Sequence, residues 1–199
     1  LDLVVETGTD PTEIDTVVAS SNFGIPANGE NVIITGTARS VGGNALGNHI
    51  TGNGVDNGLA GGGGNDTLLG GLGNDTLAGD AGNDVLEGGA GADRLNGGAG
   101  ADQFRFVTTG DGPDTLVDFT SGTDKIVVVA ANFGLVAGAA ANLFVNTPAS
   151  SGAAAFLYSS ATGVFAFDAD GNGAGAALTL ATLANKPPML LPGDVVLGT

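Results

Sequence analysis

Five consecutive nine-residue repeats fill residues 61–105 and constrain the fold more than any other feature of the chain. They read GGGGNDTLL, GGLGNDTLA, GDAGNDVLE, GGAGADRLN and GGAGADQFR. Against the template G-G-x-G-x-D-x-U-x, in which U is a large apolar residue, 24 of 25 fixed positions match, and Asp80 at a glycine position is the departure. A flexible glycine-rich linker has no reason to keep an aspartate and a leucine in phase, so the pattern indicates a repeat architecture.

Each position of the repeat has a predicted structural role. Glycines at positions 1, 2 and 4 permit positive φ and close approach of the backbone to an ion, so the first six residues are predicted to form a turn. Positions 7–9 are predicted to form a short strand that sends position 8 inward and positions 7 and 9 toward solvent. The inward side chains are Leu68, Leu77, Leu86, Leu95 and Phe104. The pattern predicts an all-β fold, a right-handed parallel β-roll with a β-rich C-terminal cap.

Two repeats are expected to make one coil, so turns that lie 18 residues apart should stack. Asp66, Asp84 and Asp102 should then line one edge of the roll, and Asp75 and Asp93 the other. Two stacked aspartates and several carbonyl oxygens would form an oxygen cage, which suits Ca²⁺ better than Mg²⁺ because calcium accepts six to eight oxygens in irregular geometry. The stacked pairs predict about three calcium ions.

The predicted carbonyl ligands lie at positions 1, 3 and 4 of the turns. They are Gly61, Gly63, Gly64, Gly70, Leu72, Gly73, Gly79, Ala81, Gly82, Gly88, Ala90, Gly91, Gly97, Ala99 and Gly100. Without calcium the carboxylates would repel one another across turns that little else holds together. We therefore expect a largely disordered metal-free array, in which the binding energy of calcium acts as folding energy.

Residues 43–60 read as two degenerate repeats, GNALGNHIT and GNGVDNGLA, in which Asn48 and Asn57 replace the aspartate. A neutral amide keeps an oxygen but loses the charge, so we expect absent or weak calcium there, with Asn57 beside Asp75 as the weak site. Residues 1–42 are strand-like, with turns at Asp10-Pro11 and Asn28-Gly29, and read as irregular lead-in coils.

Residues 106–199 depart from the repeat and are expected to form the C-terminal cap that a repeat array requires, together with a secretion signal region. Asp114, Asp118 and Asp124 are spaced so that one could close the last open turn; Asp118 and Asp124 are candidate ligands, with ordinary turn chemistry as the alternative. A short helix is predicted over 137–142, a hairpin from Ala155–Tyr158 and Val164–Phe167, and a further strand over 177–183.

Two further features are candidate sites. Asp168, Asp170 and Asn172 resemble the start of an EF-hand loop, but Thr179 stands at the twelfth position, where such a loop needs a bidentate Glu. A tight hairpin turn is the favoured interpretation, with a weak cation site as the alternative. His49, the only histidine, occupies an outward position and excludes an H-E-x-x-H zinc site within the chain.

Composition narrows the function classes. The net charge of −16 argues against nucleic acid and anionic membranes as partners, and three calcium ions would bring it only to −10. No cysteine is present, so calcium rather than disulfides is the expected staple. No apolar run is long enough for a membrane-spanning helix, and no cationic stretch followed by an apolar one opens the chain. No pocket with a paired acid and base is evident, so no catalytic residue is predicted.

The repeats resemble those of the RTX family of bacterial exoproteins, and the chain is most similar to the C-terminal region of the serralysin type. The segments GENVIITGTA, VDFTSGTDKIVV and FLYSSATGVFAFDADGNGAGAALTLATL carry the likeness outside the array. The resemblance implies a calcium-binding β-roll, secreted or on the cell surface, and exported by a type I apparatus that reads an uncleaved C-terminal signal. The tail Asp194-Val195-Val196-Leu197 is similar to the family's ending, although Gly198 and Thr199 follow it.

Three functions remain open at this point. The leading hypothesis is a non-catalytic calcium-binding module that folds after export. The second is a structural surface, S-layer or filament protein that self-associates through the open ends of the roll. The third is an accessory module of an exoenzyme, such as a protease, a lipase or a polysaccharide-modifying enzyme, whose catalytic domain would precede Leu1.

Overall fold

Two sheets face each other across a narrow apolar interior, and within each coil the chain crosses from one sheet to the other. The computed structural model describes residues 3–5, 16–27, 30–139, 141, 143–146, 152–171 and 177–199. Sheet 1 has the spatial order β1 (Leu3–Val5), β2 (Thr16–Ala19), β4 (Asn31–Ile34), β6 (His49–Thr51), β8 (Thr67–Leu72), β10 (Val85–Ala90), β12 (Gln103–Phe106), β14 (Lys125–Val129) and β19 (Val195–Gly198).

Sheet 2 holds the alternate strands and the cap. Its spatial order is β15 (Leu143–Val145), β16 (Ala155–Tyr158), β17 (Val164–Asp168), β18 (Leu178–Leu183), β13 (Asp114–Leu116), β11 (Arg94–Asn96), β9 (Thr76–Ala81), β7 (Gly58–Gly63), β5 (Ser40–Gly42) and β3 (Phe23–Gly24). Short 3-10 helices span Ala130–Phe133 and Pro192–Asp194. No helix in the described ranges is long and apolar enough to cross a membrane.

Consecutive repeats enter opposite sheets, as the two-repeat coil predicts. Thr67 pairs with Val85 in sheet 1 and Gly58 pairs with Thr76 in sheet 2, both in parallel and 18 residues apart. The predicted all-β parallel solenoid is confirmed, with about six turns. The strands are longer than predicted, since β7, β8, β9 and β10 each run six residues, from position 7 of one repeat to position 3 of the next. Pairing continues through the glycines, for example Gly71 with Gly89.

The interior is one column of apolar side chains on each sheet. The repeat residues Leu68, Leu77, Leu86, Leu95 and Phe104 are all fully buried, as predicted. The columns extend past the repeats in register, from Val32 and Ile50 before the array to Ile126 after it in sheet 1. Each buried leucine contributes about 2 kcal/mol of apolar burial. These two facing columns supply the apolar core of the roll.

The cap has a wider core than the roll. The predicted hairpin is confirmed, with Ala155 opposite Asp168 in antiparallel pairing. Phe156 stacks on Phe165 at a centroid distance of 5.5 Å, and Phe167 meets Phe133 edge-to-face at 5.3 Å. Such contacts add to area burial. The cap therefore has an aromatic cluster that the roll lacks.

The predicted helix over 137–142 is wrong for residues 137–139, which form a turn. Gly138 has a φ of +73°, which a right-handed helix does not accommodate. The predicted strand over 177–183 is confirmed as Leu178–Leu183. The predicted turns at Asp10-Pro11 and Asn28-Gly29, and Asn172, lie outside the described residues.

The C-terminal tail completes sheet 1. Strand β19 pairs in parallel with β14, Val195 lying opposite Ile126. The fully buried Asp194 just before it accepts hydrogen bonds from the Ser121 hydroxyl (2.5 Å) and the Gly122 N–H (2.9 Å). Lys125 Nζ lies 3.6 Å from its carboxylate, so the charge has a partner. The tail is thus bound to the end of the roll through Asp194 and through strand β19.

Candidate metal-binding turns

The repeat aspartates lie in two rows, where the chain enters the strands of each sheet. Edge 1, before the strands of sheet 1, carries Asp66, Asp84 and Asp102, and edge 2, before those of sheet 2, carries Asp75 and Asp93. All five side chains are buried, with 1–2 % of their surface exposed. The sequence placed them on these edges; their role as ligands stays a prediction.

One oxygen of each carboxylate bonds the turn before it. On edge 1, Asp84 Oδ1 accepts the backbone N–H of Asp66 at 2.8 Å, and Asp102 Oδ1 accepts that of Asp84 at 3.0 Å. On edge 2, Asp93 Oδ1 accepts the N–H of Asp75 at 2.7 Å. These bonds form an aspartate ladder that links successive coils and orients each carboxyl.

The second oxygen has no such bond. Oδ2 is buried and without a hydrogen-bond partner among the described residues at four positions: Asp66, Asp75, Asp84 and Asp93. A buried acceptor left unpaired is unfavourable by about 1–3 kcal/mol, more if it is charged. The same unpaired oxygen recurs at four positions along the two edges, which indicates binding sites for an electron-pair acceptor such as a cation.

Glycine at position 1 leaves the space into which this oxygen points. A Cβ on Gly79 would collide with Asp84 Oδ2 and lie 2.5 Å from the carbonyl oxygen of Gly97; Gly70 has the same relation to Asp75 Oδ2 and the Gly88 carbonyl. The expectation of positive φ at position 1 is wrong, because these glycines keep a negative or extended φ. Their role is to leave room between a carboxylate and a carbonyl of the next coil.

Positive φ occurs instead at positions 2 and 4, for example +91° at Gly64. Asp80, the departure from the template, takes a φ of 71° at position 2. Aspartate is one of the residues that tolerate this left-handed region, so the turn survives the substitution. Its charge also raises the pKa of the neighbouring Asp66 and Asp84 carboxyls, after the larger effect of burial.

Burial raises the pKa of the aspartates throughout the ladder. It brings the pKa of Asp66, Asp75 and Asp102 to about 6, partly offset by the backbone hydrogen bond that each accepts. Neighbouring carboxylates raise it further, Asp84 acting on Asp66 and Asp93 on Asp75. The metal-free turns are thus unfavourable places for negative charge, and a bound cation would reverse this effect.

Aspartates outside the repeats extend both rows. On edge 1, Asp124 Oδ1 accepts the N–H of Asp102 at 3.0 Å, and on edge 2, Asp114 Oδ1 accepts that of Asp93 at 3.0 Å. The sequence named Asp124 as a candidate ligand and Asp114 only as a residue that could close the last turn, since the 21- and 22-residue offsets depart from the 18-residue period. Burial raises the pKa of Asp114 to about 8. Asp114 and Asp124 thus close the last turn of their own edges.

The third candidate in this segment is bound differently. Asp118 accepts the N–H of Gly97 with Oδ1 at 3.0 Å and that of Gly98 with Oδ2 at 2.7 Å. Both oxygens therefore bond the backbone of the fifth repeat. This is the turn chemistry weighed against ligation, and a ligand role for Asp118 stays a prediction.

The degenerate repeats build a similar turn with an amide. Asn57 Oδ1 accepts the N–H of Asn53 at 2.9 Å, and its Nδ2 donates to the Ala38 carbonyl at 3.3 Å. The Asn57 N–H still donates to Asp75 Oδ1 at 2.7 Å, so the ladder continues. Both polar atoms of the Asn57 side chain are therefore hydrogen-bonded, whereas the aspartate at the same position of the first four full repeats has an Oδ2 without a partner in the described part of the chain. The weak site at Asn57 stays a prediction.

A set of residues that the sequence reasoning missed lies at position 5, directly before the aspartates. The side-chain oxygens of Asn65, Asn74 and Asn83 each accept a backbone N–H from the next coil on their edge, at 2.8–2.9 Å. The template treats position 5 as variable. The repeated NDTL and NDVL of the first three repeats were the signal that could have identified them.

The remaining candidates lie apart from the turns. His49 is exposed, as predicted. Asp168 is buried, and its Oδ1 accepts the N–H groups of Asp170 (3.3 Å) and Gly171 (3.1 Å). This is the hairpin turn favoured from the sequence.

The turns suit a hard cation bound mainly by carbonyls. In the described ranges, no group of three or more His, Cys, Asp or Glu side chains is placed to hold a metal together. A cage here would combine one or two carboxylates with backbone oxygens, which is how calcium is commonly bound. Unpartnered Oδ2 atoms and the carbonyls opposite them supply such oxygens, so the residues fit calcium.

The fold and these turns define a class, the parallel β-solenoids with a carboxylate in each turn. The family model for the RTX calcium-binding nonapeptide repeat (4 copies) matches residues 42–77 and 69–104. The chain belongs to the family of proteins with these repeats. Among solved structures it is similar to a subunit of the Azotobacter vinelandii mannuronan C5-epimerase, AlgE6R3, with 31 % identity over 76 % of this chain and 78 % of that one and a TM-score of 0.35. Comparison with curated proteins gave no significant match.

Proposed function

We propose that this RTX module is the non-catalytic, calcium-binding part of a secreted bacterial protein, and that its array folds when calcium binds outside the cell. The observation that carries the proposal is the set of buried, unpartnered Oδ2 atoms of Asp66, Asp75, Asp84 and Asp93. Each lies where a position-1 glycine leaves space. A divalent cation would satisfy these oxygens and remove the repulsion between stacked carboxylates.

The proposed ligands are those that the repeat predicts. Three ions would lie between Asp66 and Asp84, between Asp84 and Asp102, and between Asp75 and Asp93, with carbonyls of positions 1, 3 and 4. The ladder bonds to Asp114 and Asp124 support one further ion on each edge. The expected affinity is that of extracellular calcium modules, roughly 10⁻⁴–10⁻³ M.

Calcium titration of chelator-stripped protein tests this function, followed by far-UV circular dichroism and sedimentation. A transition from disorder to β-structure near millimolar calcium, absent with magnesium, is expected. The variant D75N is the matched control, because the chain already uses an amide at Asn57 and the backbone bond can remain. It should bind fewer ions. A β-rich spectrum that calcium leaves unchanged would rule out calcium-driven folding.

We propose export before folding because the C-terminal tail is similar to the uncleaved secretion signal that a type I apparatus reads. The tail similar to a C-terminal secretion signal is strand β19, with Val195 and Leu197 buried and Asp194 bonded to Ser121. A type I apparatus that reads this tail would have to bind it before it pairs with β14. Secretion of the chain from cells with and without a type I apparatus, with and without the last six residues, tests the proposal. Export that persists without the tail would contradict it.

Self-association is the second candidate function. Exposed apolar side chains lie in the C-terminal part, such as Val136 (74 %) and Met189 (55 %), and also in the array, where Leu72 is 60 % exposed. Sedimentation of the calcium-loaded protein decides this: large polymers favour a surface or filament protein, and a monomer at all concentrations excludes it. The accessory-module alternative is tested by sequencing the gene upstream of Leu1 for a catalytic domain.

A further inference from the structure

A second ladder of side chains runs beside the aspartates, in the opposite direction. On edge 2, the N–H of Asn74 donates to Asp56 Oδ1 at 2.9 Å, and the N–H of Ala92 donates to Asn74 Oδ1 at 2.9 Å. Position 5 of one coil therefore bonds the following coil. The aspartate beside it bonds the preceding coil, since Asp93 Oδ1 accepts the N–H of Asp75. Successive turns are closed by two reciprocal side-chain bonds.

Edge 1 repeats the arrangement. Asn65 Oδ1 accepts the N–H of Asn83 at 2.8 Å, and Asn83 Oδ1 accepts that of Ala101 at 2.8 Å. Asp84 Oδ1 accepts the N–H of Asp66 in the reverse direction. We call the position-5 bonds on both edges the amide ladder; Asp56 supplies its first acceptor on edge 2.

The amide ladder ends where its side-chain acceptors end. Repeats four and five carry Ala92 and Ala101 at position 5, which offer no acceptor to the next coil. On edge 2 the next residue in line is Pro113, which has no N–H. On edge 1 it is Thr123, whose N–H donates to the Thr120 carbonyl at 3.1 Å. After repeats four and five, the aspartate bonds to Asp114 and Asp124 continue the rows without an amide partner.

The two ladders respond differently to loss of metal. The aspartates of one edge stack one coil apart and carry like charges, so they repel one another when no cation is bound. The asparagines are neutral, so their bonds are independent of metal and of charge. The amide bonds therefore favour the stacked arrangement of the turns without adding to the repulsion that calcium has to overcome.

We propose that Asn65, Asn74 and Asn83 are positioning residues, whose bonds favour the stacked register of successive turns and so lower the cost of ordering the turns when calcium binds. The proposal rests on calcium binding at the aspartates. It predicts that each edge can be changed alone, because Asn74 bonds a turn of edge 2 and Asn83 bonds a turn of edge 1. A residue that merely stabilised the fold would act on both edges alike.

The test is a calcium titration of the full chain, followed by backbone amide NMR signals on each edge. In N74A, the calcium concentration at the midpoint of the Asp75 and Asp93 signals should rise about fivefold, which is the effect of one lost hydrogen bond. The midpoint of the edge 1 signals should not change. In N83A, the midpoint should rise on edge 1 and stay on edge 2. Alanine at this position fits the turn, because Ala92 and Ala101 occupy it in later repeats.

Two variants serve as controls. A92N adds an amide opposite Pro113, which offers no N–H, so its midpoints should equal those of the wild type. N74D keeps the acceptor oxygen, as Asp56 does, so it should not raise the edge 2 midpoint as N74A does. Equal shifts on both edges in N74A, no shift at all, or an N74D that behaves as N74A would overturn the proposal. If the backbone amide signals of the wild type did not change with calcium, the proposed function would be overturned instead.

Discussion

The array and the cap solve the same problem, the stabilisation of a β-fold without disulfides, by different means. The array has one apolar side chain per turn inside and a buried carboxyl at each edge. The cap places Phe133, Phe156, Phe165 and Phe167 in one cluster. Hydrophobic burial acts at any calcium concentration, whereas buried carboxyls stabilise only with a cation or a proton. The comparison predicts that the stability of the array depends on bound calcium and that the stability of the cap does not.

The largest effect is expected from G79A. Its Cβ would occupy the space between Asp84 Oδ2 and the Gly97 carbonyl, where a ligated ion would lie. The array should fail to reach full β-structure at calcium concentrations of roughly 10⁻³ M, while the cap stays folded. Far-UV circular dichroism and calorimetric stoichiometry measure this. G54A is the matched control, because a Cβ there meets nothing within 4 Å; an array that loads normally in G79A would refute this role for position 1.

The next largest effect is expected from F165A in the cap. Removing this buried ring should lower the free energy of unfolding of the cap by about 3–5 kcal/mol. The loss should be the same in calcium and in chelator, since no carboxylate is involved. Thermal unfolding followed at Tyr158, the only tyrosine, reports on the cap. A loss that appears only in chelator would break the distinction between the two regions.

Acid should partly substitute for calcium in the array. The pKa of Asp66, Asp75 and Asp102 is about 6 in the folded metal-free protein, above the unfolded value of about 3.9. The folded state therefore binds more protons, and the free energy of unfolding falls as the pH rises from about 4 to about 6. Metal-free protein should show more β-structure at pH 5 than at pH 7.5.

The same protons compete with calcium, so the apparent affinity at pH 5 should be about tenfold weaker per carboxylate whose pKa is 6. Circular dichroism in chelator and calcium titrations at both pH values provide the measurements. Dilute protein is needed because the isoelectric point is about 4.1. Less β-structure at pH 5 than at pH 7.5 would contradict the raised pKa values.

The smallest effect is expected from R105A. Arg105 lies 3.2 Å from Glu87 across neighbouring strands of sheet 1, and both side chains are partly exposed. Exposed ion pairs contribute about 0–1 kcal/mol. The variant should leave the calcium midpoint unchanged and lower the unfolding temperature by at most a few degrees. A large shift of the calcium midpoint would show that the outer face of the sheet is coupled to the turns.

The repeat period determined the architecture of the array directly. An aspartate and a leucine in phase every nine residues fix two edges and an apolar interior, because a strand alternates its side chains and a coil returns after 18 residues. The same argument placed Asp66 and Asp84 on one edge and Asp75 on the other. Hairpin residues Ala155–Tyr158 followed from β-branched and aromatic runs around a glycine turn.

Tertiary structure alone decided the features that depend on what lies one coil away. The sequence named Asp114 and Asp124 as residues that could close the last turn, but only the stacked coils show that each of them joins a different row. Asn74 bonds Ala92, and glycine at position 1 is required by a carbonyl of another coil, not by its own φ. The period records which residue types recur along the chain. The contacts between coils also depend on insertions and on which donors each turn lacks, and these appear only when the coils are stacked.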